Sequence, residues 1–207
     1  MRARFFGLIG LAAAMALSSQ ALAAKPVLRP DDMTIGDANA PVVVVEYASL
    51  SCPHCARFNQ DVFPAFKKAY VDTGKALYVY REFITSPPEI AGAGVLLARC
   101  VPKADYFKVV DGVFAGQKEM YEDGTMGGVL KVLKRVGATV GVDETKFKAC
   151  LTDKAAAEAL DARVDRAVNQ DKIDATPAFV VNGKKVEAPG GKEMDLATLE
   201  AAIKAAK

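Results

Sequence analysis

The run Val42-Val43-Val44-Val45-Glu46-Tyr47 stops four residues short of Cys52-Pro53-His54-Cys55, and an amphipathic pattern takes over at the second cysteine. A short, β-branched and almost wholly apolar run is the mark of a strand buried on both faces of a sheet. Phe58, Val62, Phe63, Phe66 and Tyr70 then recur at three- and four-residue intervals. That spacing predicts a helix from about Pro53 to Asp72, with Gly74 just past its end. Pro64 should kink it, because proline removes a backbone donor. The stretch "ALYVYREF", Ala76 to Phe83, is rich in aromatic and β-branched residues and reads as a second central strand. Strand, helix and strand make a βαβ unit with an expected right-handed connection. The chain is thus an α/β protein with a cysteine pair where the first strand hands over to the first helix.

The rest of the chain fits around that unit. Residues 24–41, with Pro26, Pro30, Gly36 and Pro41, are an irregular lead-in with one short strand near Met33 to Ile35. From Pro87 to Lys172 the pattern is helical, with segments near 89–101, 103–116, 126–136, 143–151 and 154–171 and glycines marking the breaks. Ala178 to Val181 and Lys184 to Glu187 flank Asn182-Gly183, a strong hairpin signal. A closing helix is expected from Leu196 to Ala206. The expected organisation is a βαβ and ββα domain, residues 24–86 and 173–207, split by an all-helical insertion, residues 87–172.

Arg2 and Arg4 lead an apolar run from Phe5 to Leu17, and Ala21-Leu22-Ala23 offers small residues before a cut. This is the pattern of a secretory signal peptide, residues 1–23, removed after Ala23. A membrane span needs about 20 apolar residues, and Ser18-Ser19-Gln20 ends this run early. The formal net charge is +2, and loss of Arg2 and Arg4 leaves basic and acidic side chains equal in number. Nothing there points to a nucleic-acid partner. With 51% hydrophobic residues, the fold need not depend on disulfides for lack of a core.

All four cysteines, Cys52, Cys55, Cys100 and Cys150, lie beyond the expected cut, and an even count in an exported chain suggests disulfides. At a helix start, the unpaired backbone N–H groups and the helix dipole favour the thiolate of the first cysteine. Pro53 is tolerated there because the first turn has no use for its missing donor. His54 adds a positive charge or a donor close to the Cys52 sulfur. A low thiolate pKa stabilises the reduced pair and makes the disulfide a stronger oxidant. Cys52 is expected at the exposed tip as the attacked sulfur, with Cys55 one turn inside as the buried resolving thiol. Two other readings compete. A four-cysteine zinc site normally takes two closely spaced pairs, whereas Cys100 and Cys150 stand far apart and His54 is the sole histidine. An inert bridge between residues three apart would be strained. Cys100 ends the apolar stretch "AGVLLARC" and Cys150 lies in "KFKACL". A bridge between them would tie two helices of the insertion, worth roughly 4 kcal/mol in the chain-entropy model, and reads as structural.

"VVVEYASLSCPHCARF", with "ATPAFVVNGKKV" far downstream, resembles the thioredoxin-fold oxidoreductases of the DsbA type, exported dithiol oxidases with a CPHC active site. The resemblance implies a thioredoxin fold with a helical insertion, Cys52 as nucleophile, Cys55 as its buried partner and His54 as the residue that tunes the potential. It implies that Pro177 is a cis-proline facing the redox disulfide and that Thr176 presents its backbone to an extended substrate segment in β fashion. Glu46 matches a buried acid that relays a proton to or from the inner cysteine. An alternative is that Glu46 pairs with a nearby cation such as Arg81. The family often carries a lysine near that acid on the next strand, and "YVYREF" has none at the matching place. The implied setting is the periplasm. The implied partners are exported proteins with free cysteines and a membrane quinone-linked oxidase of the DsbB type. No cofactor or metal is expected, since the exchange runs on the thiols. About 18 residues separate the expected cut from Val42, too few for the N-terminal dimerisation domain that related isomerases carry, so a monomer that mainly oxidises is expected. A reductase or isomerase, or a thiol protein that handles metal or acts as a chaperone, stays open.

Overall fold

The computed structural model describes residues 28–206; the expected signal peptide and its cut after Ala23 lie outside the described residues. The strands are β1 Met33–Ile35, β2 Val42–Ala48, β3 Ala76–Glu82, β4 Ala178–Val181 and β5 Lys184–Val186. They form one sheet in the order β1-β3-β2-β4-β5. β2 and β3 are parallel, and the other pairs are antiparallel. All seven residues of β2 are buried, because both faces of the sheet are covered and successive side chains alternate between them. Val42, Val44 and Ala48 join an apolar cluster with Phe58, Phe66 and Phe179, whereas Val43, Val45 and Tyr47 pack with Ala167 and Ile173. The hairpin turns through Asn182 (φ 43°) and Gly183 (φ 80°), the paired positive φ values of a tight hairpin.

Helix α1 spans 53–71 and begins at the cysteine motif. The disturbance expected at Pro64 takes the form of a π-helical stretch, Phe58–Val62, directly before it. Pro64 cannot donate, and the Phe63 N–H instead reaches the Phe58 carbonyl, a wider turn that steps past the gap. A second π-helical stretch, Lys67–Val71, leads to Gly74 at φ 68°.

Between β3 and β4 the chain forms α2 Pro88–Arg99, α3 Tyr106–Asp123, α4 Met126–Ala138, α5 Glu144–Leu151 and α6 Lys154–Asn169, and α7 Leu196–Ala205 follows the hairpin. α3 runs well past residue 116, where the sequence reading ends it. A Cβ on Gly116 would lie 2.3 Å from Val132 Cγ1, and one on Gly112 2.9 Å from Val136 Cγ1. These glycines mark the close approach of α4 to α3. Cys100, at the end of α2, is disulfide-bonded to Cys150 of α5.

A buried ionic cluster joins these helices to the sheet. Glu82, at the end of β3, accepts from Tyr106 Oη (2.7 Å), Arg99 Nη2 (2.8 Å) and Arg163 Nε (3.1 Å). Beside it, Arg81 donates to both oxygens of Asp32 (2.7 and 2.9 Å) and to Tyr47 Oη (2.8 Å). The pairing of Arg81 with Glu46 does not occur. Arg81 is in register with Tyr47, and Glu46 with Tyr80, so strand alternation sends Arg81 to the opposite face of the sheet.

Candidate active site

Cys52 is the N-cap of α1, with extended backbone (φ −82°, ψ 119°) and Pro53 in the first turn. Its Sγ lies 3.4 Å from the Thr176 carbonyl oxygen, and the Thr176–Pro177 bond is cis. The fold therefore brings Cys52, Pro53, Cys55, Thr176 and Pro177 together. The insertion holds the tip from the other side. Gln117 Nε2, on α3, donates to the carbonyls of Leu50 (3.1 Å) and Cys52 (3.2 Å), and the Tyr121 hydroxyl donates to the Ser51 carbonyl.

Cys52 is 6% exposed and Cys55 0%, so the tip is more covered than the sequence suggests, with the outer sulfur still the more accessible. Both are free thiols, and their surroundings push them apart. A hydrogen bond from the Cys55 thiol brings Cys52 down to about 5 against the opposing effect of burial, with Thr176 and the backbone N–H groups of Cys55 and His54 adding. Burial, then Cys52 and Glu46, push Cys55 well above the ordinary thiol value. The His54 ring is paired with side chains other than the cysteines. Its Nδ1 lies 2.9 Å from Glu193 Oε1 and 2.8 Å from Arg57 Nη2, and what His54 lends to Cys52 is its backbone N–H.

Glu46 is 2% exposed and accepts from the Tyr78 hydroxyl at 2.5 Å. Burial pushes its carboxyl up to about 8, with Tyr78 opposing and the Cys52 charge adding. Tyr78 thus serves on the strand that lacks the family's lysine. Its parity was the available signal, since Tyr78 and Tyr80 share the face of Glu46. Gln117 is a polar residue on the otherwise apolar face of α3 formed by Val110, Val113, Phe114 and Met120, which is a usable signal too. Glu193 has none, because its contacts are made across the fold. Beside the cis-proline a cavity of about 470 Å³ opens, lined by Phe58, Pro177, Val186, Ala188, Glu193 and Met194 among others.

A family model described as Thioredoxin matches residues 28–205. The chain is 34% identical over 157 residues to a Rickettsia typhi protein provisionally named a protein-disulfide oxidoreductase, across 76% of this chain and 57% of that one. The crystal structure of Wolbachia pipientis alpha-DsbA1 superposes with a TM-score of 0.74 at 29% identity, covering 87% of this chain and 92% of the other. The chain belongs to the DsbA-like disulfide oxidoreductases of the thioredoxin fold. It spans little more than half the length of curated Rickettsia relatives, 57%, 54% and 59%. Chlamydia trachomatis DsbA shares the fold at a TM-score of 0.68 and 20% identity, over 86% of this chain and 93% of that one.

In this DsbA-like protein the buried acid makes stability depend on pH. The Glu46 carboxyl stands near 8 in the fold and near the ordinary value of about 4.3 when unfolded. Below the unfolded value both states are protonated and the group costs nothing. As pH rises, the unfolded chain ionises while the folded one does not, and stability is lost until pH passes about 8. Glu46→Gln keeps an acceptor for Tyr78 and cannot ionise. Urea denaturation of the reduced protein should give the variant no advantage at about pH 4 and on the order of 3 kcal/mol at about pH 7. An advantage independent of pH would exclude buried ionisation as its cause.

Proposed function

We propose that this DsbA-like protein is a periplasmic dithiol oxidase, working as a monomer on exported proteins with free cysteines. The observation that carries this reading is the split between the two sulfurs: an outer one held as thiolate against the cis-proline loop, and an inner one buried as thiol. In the step proposed, a substrate thiolate attacks Cys52 Sγ of the Cys52–Cys55 disulfide. The S–S bond breaks, a mixed disulfide forms on Cys52, and the electron pair leaves on Cys55. Protonated Glu46 supplies the proton that the Cys55 thiolate takes up, which its buried setting favours. A second substrate thiolate then attacks the substrate sulfur of the mixed disulfide, forms the product disulfide and leaves Cys52 as a stabilised thiolate. The substrate has lost two electrons and the protein carries them as a dithiol. A quinone-linked membrane oxidase of the DsbB type would remove them. The backbone at Thr176 and the neighbouring cavity are where an extended substrate segment would lie.

Cys52 near 5 instead of 9.0 favours the reduced pair at pH 7 by up to about 100-fold, or up to about 60 mV toward the oxidising side. Equilibration with glutathione, followed by thiol trapping and mass measurement, tests the direction. A midpoint on the oxidising side of about −200 mV is the expected result, and one near about −270 mV, the value of thioredoxin, overturns the oxidase reading. The second reading, an isomerase, draws on one relative: a Novosphingobium aromaticivorans structure titled protein-disulfide isomerase, at TM-score 0.66 and 25% identity. Refolding of a scrambled multi-disulfide protein would separate it, since an isomerase restores native pairings and an oxidase alone does not.

A further inference from the structure

Arg57 lies on α1 beside the cysteine motif, and its guanidinium is gripped from the segment between β5 and α7. Arg57 Nε donates to Glu193 Oε2 at 3.0 Å and Nη2 donates to Oε1, while the His54 ring sits 2.9 Å from that same oxygen. A guanidinium and a carboxylate meeting at two points form an oriented pair. Both side chains are about half exposed, 48% and 52%, so the pair adds little to stability. Its effect is to cancel a charge. The groups whose electrostatics couple to Cys52 are Cys55 and Arg57 from α1, Glu46 from β2 and Tyr121 from α3. Arg57 alone among them is a permanent cation.

We infer that Glu193 is a positioning residue of the exchange site: its carboxylate pairs with Arg57, keeps an uncompensated positive charge from acting on the Cys52 sulfur, and so limits how strongly the disulfide oxidises. This deepens the proposed exchange function and rests on it. The arrangement has the form of a set point, because the counter-charge comes from a segment that carries none of the reacting atoms.

The test uses Glu193→Gln, Arg57→Gln and the double variant. In the reduced protein at low salt, alkylation of Cys52 against pH gives its thiolate midpoint without any exchange step. Glu193→Gln should lower the midpoint by about half a pH unit, Arg57→Gln should raise it by a similar amount, and the double variant should return close to the parent. The glutathione equilibrium of Glu193→Gln should move about threefold toward the reduced protein. At about 1 M salt both single shifts should shrink, since the pair is open to solvent. An unmoved midpoint in Glu193→Gln overturns the inference, and so do single variants that move in the same direction, as a loss of packing would make them. Shifted midpoints in a protein that does not equilibrate with glutathione would sink the exchange function and leave the electrostatic role of Glu193 standing. Unmoved midpoints with ordinary equilibration would do the reverse.

Discussion

Cys52→Ser should abolish thiol oxidation while leaving the fold intact. At neutral pH the Cys52 sulfur is almost wholly thiolate, since its surroundings bring it to about 5; a serine hydroxyl there neither ionises nor accepts a sulfur. Cys55 cannot take over. It is 0% exposed and its thiol is held well above the ordinary value, by burial first and by the charges around it second, so little of the nucleophilic form exists. Cys55→Ser should fail differently. It loses the internal disulfide, but once oxidised glutathione supplies the oxidising equivalent its Cys52 can still hold a single-thiol substrate in a mixed disulfide that no internal thiol releases. The measurement is oxidation of a dithiol peptide under oxidised glutathione, with non-reducing electrophoresis after a single-thiol peptide for trapped adducts and circular dichroism for the fold. A Cys52→Ser protein that oxidises above the uncatalysed control, or that traps adducts as Cys55→Ser does, would sink the assignment of the outer sulfur.

Much of the frame was readable before any coordinates, because its signals are local. Val42 to Val45 declare a two-sided strand, the spacing of Phe58, Phe63 and Phe66 declares one helix face, and Asn182-Gly183 declares a hairpin; the sheet and α1 place each where those patterns put it. The cysteine pair at the strand-to-helix junction and the Thr176–Pro177 step were legible for the same reason. What was misread depends on direction and on distance in sequence. Arg81 seemed a partner for Glu46, but in the parallel β2–β3 register it stands beside Tyr47, and one step along a strand reverses the face. His54 is next but one to Cys52 in sequence, and its ring Nδ1 also meets a carboxylate 139 positions away, which no local pattern announces. α3 is expected to end near residue 116 but runs on to Asp123, packed where Gly112 and Gly116 let Val136 and Val132 come close. In each case the deciding partner lies on another element, beyond the reach of a local pattern.

The insertion bears on the redox pair through α3. Its first residue, Tyr106, hydrogen-bonds Glu82, and its fourth and fifth turns carry Gln117 and Tyr121 to the carbonyls of Leu50, Ser51 and Cys52. One rigid rod thus links the buried ionic cluster at the end of β3 to the tip that bears Cys52. Loosening either end should be felt along it.

The cluster end can be tested by a large and specific loss of stability. Glu82 is 2% exposed, and it is the common acceptor for Arg99 from α2, Tyr106 from α3 and Arg163 from α6. Burial alone would pull the Arg99 guanidinium down, yet Glu82 outweighs it and holds Arg99 above its ordinary value. Glu82→Ala would leave the largely buried guanidinia of Arg99 and Arg163 and the buried Tyr106 phenol without their shared carboxylate. Breaking a buried pair in this way costs about 3–5 kcal/mol, because the penalty is the uncompensated charge rather than the lost attraction. Urea unfolding of the oxidised protein, with Cys100–Cys150 intact, should show a loss of about 4 kcal/mol for Glu82→Ala. Replacing Glu82, Arg99 and Arg163 together by methionine should recover most of it, since no charge of that triad is then left buried without its partner. A loss below about 1 kcal/mol for Glu82→Ala, the range of exposed pairs, would mean that water reaches the cluster. It would also mean that the helices are held to the sheet by their apolar faces alone.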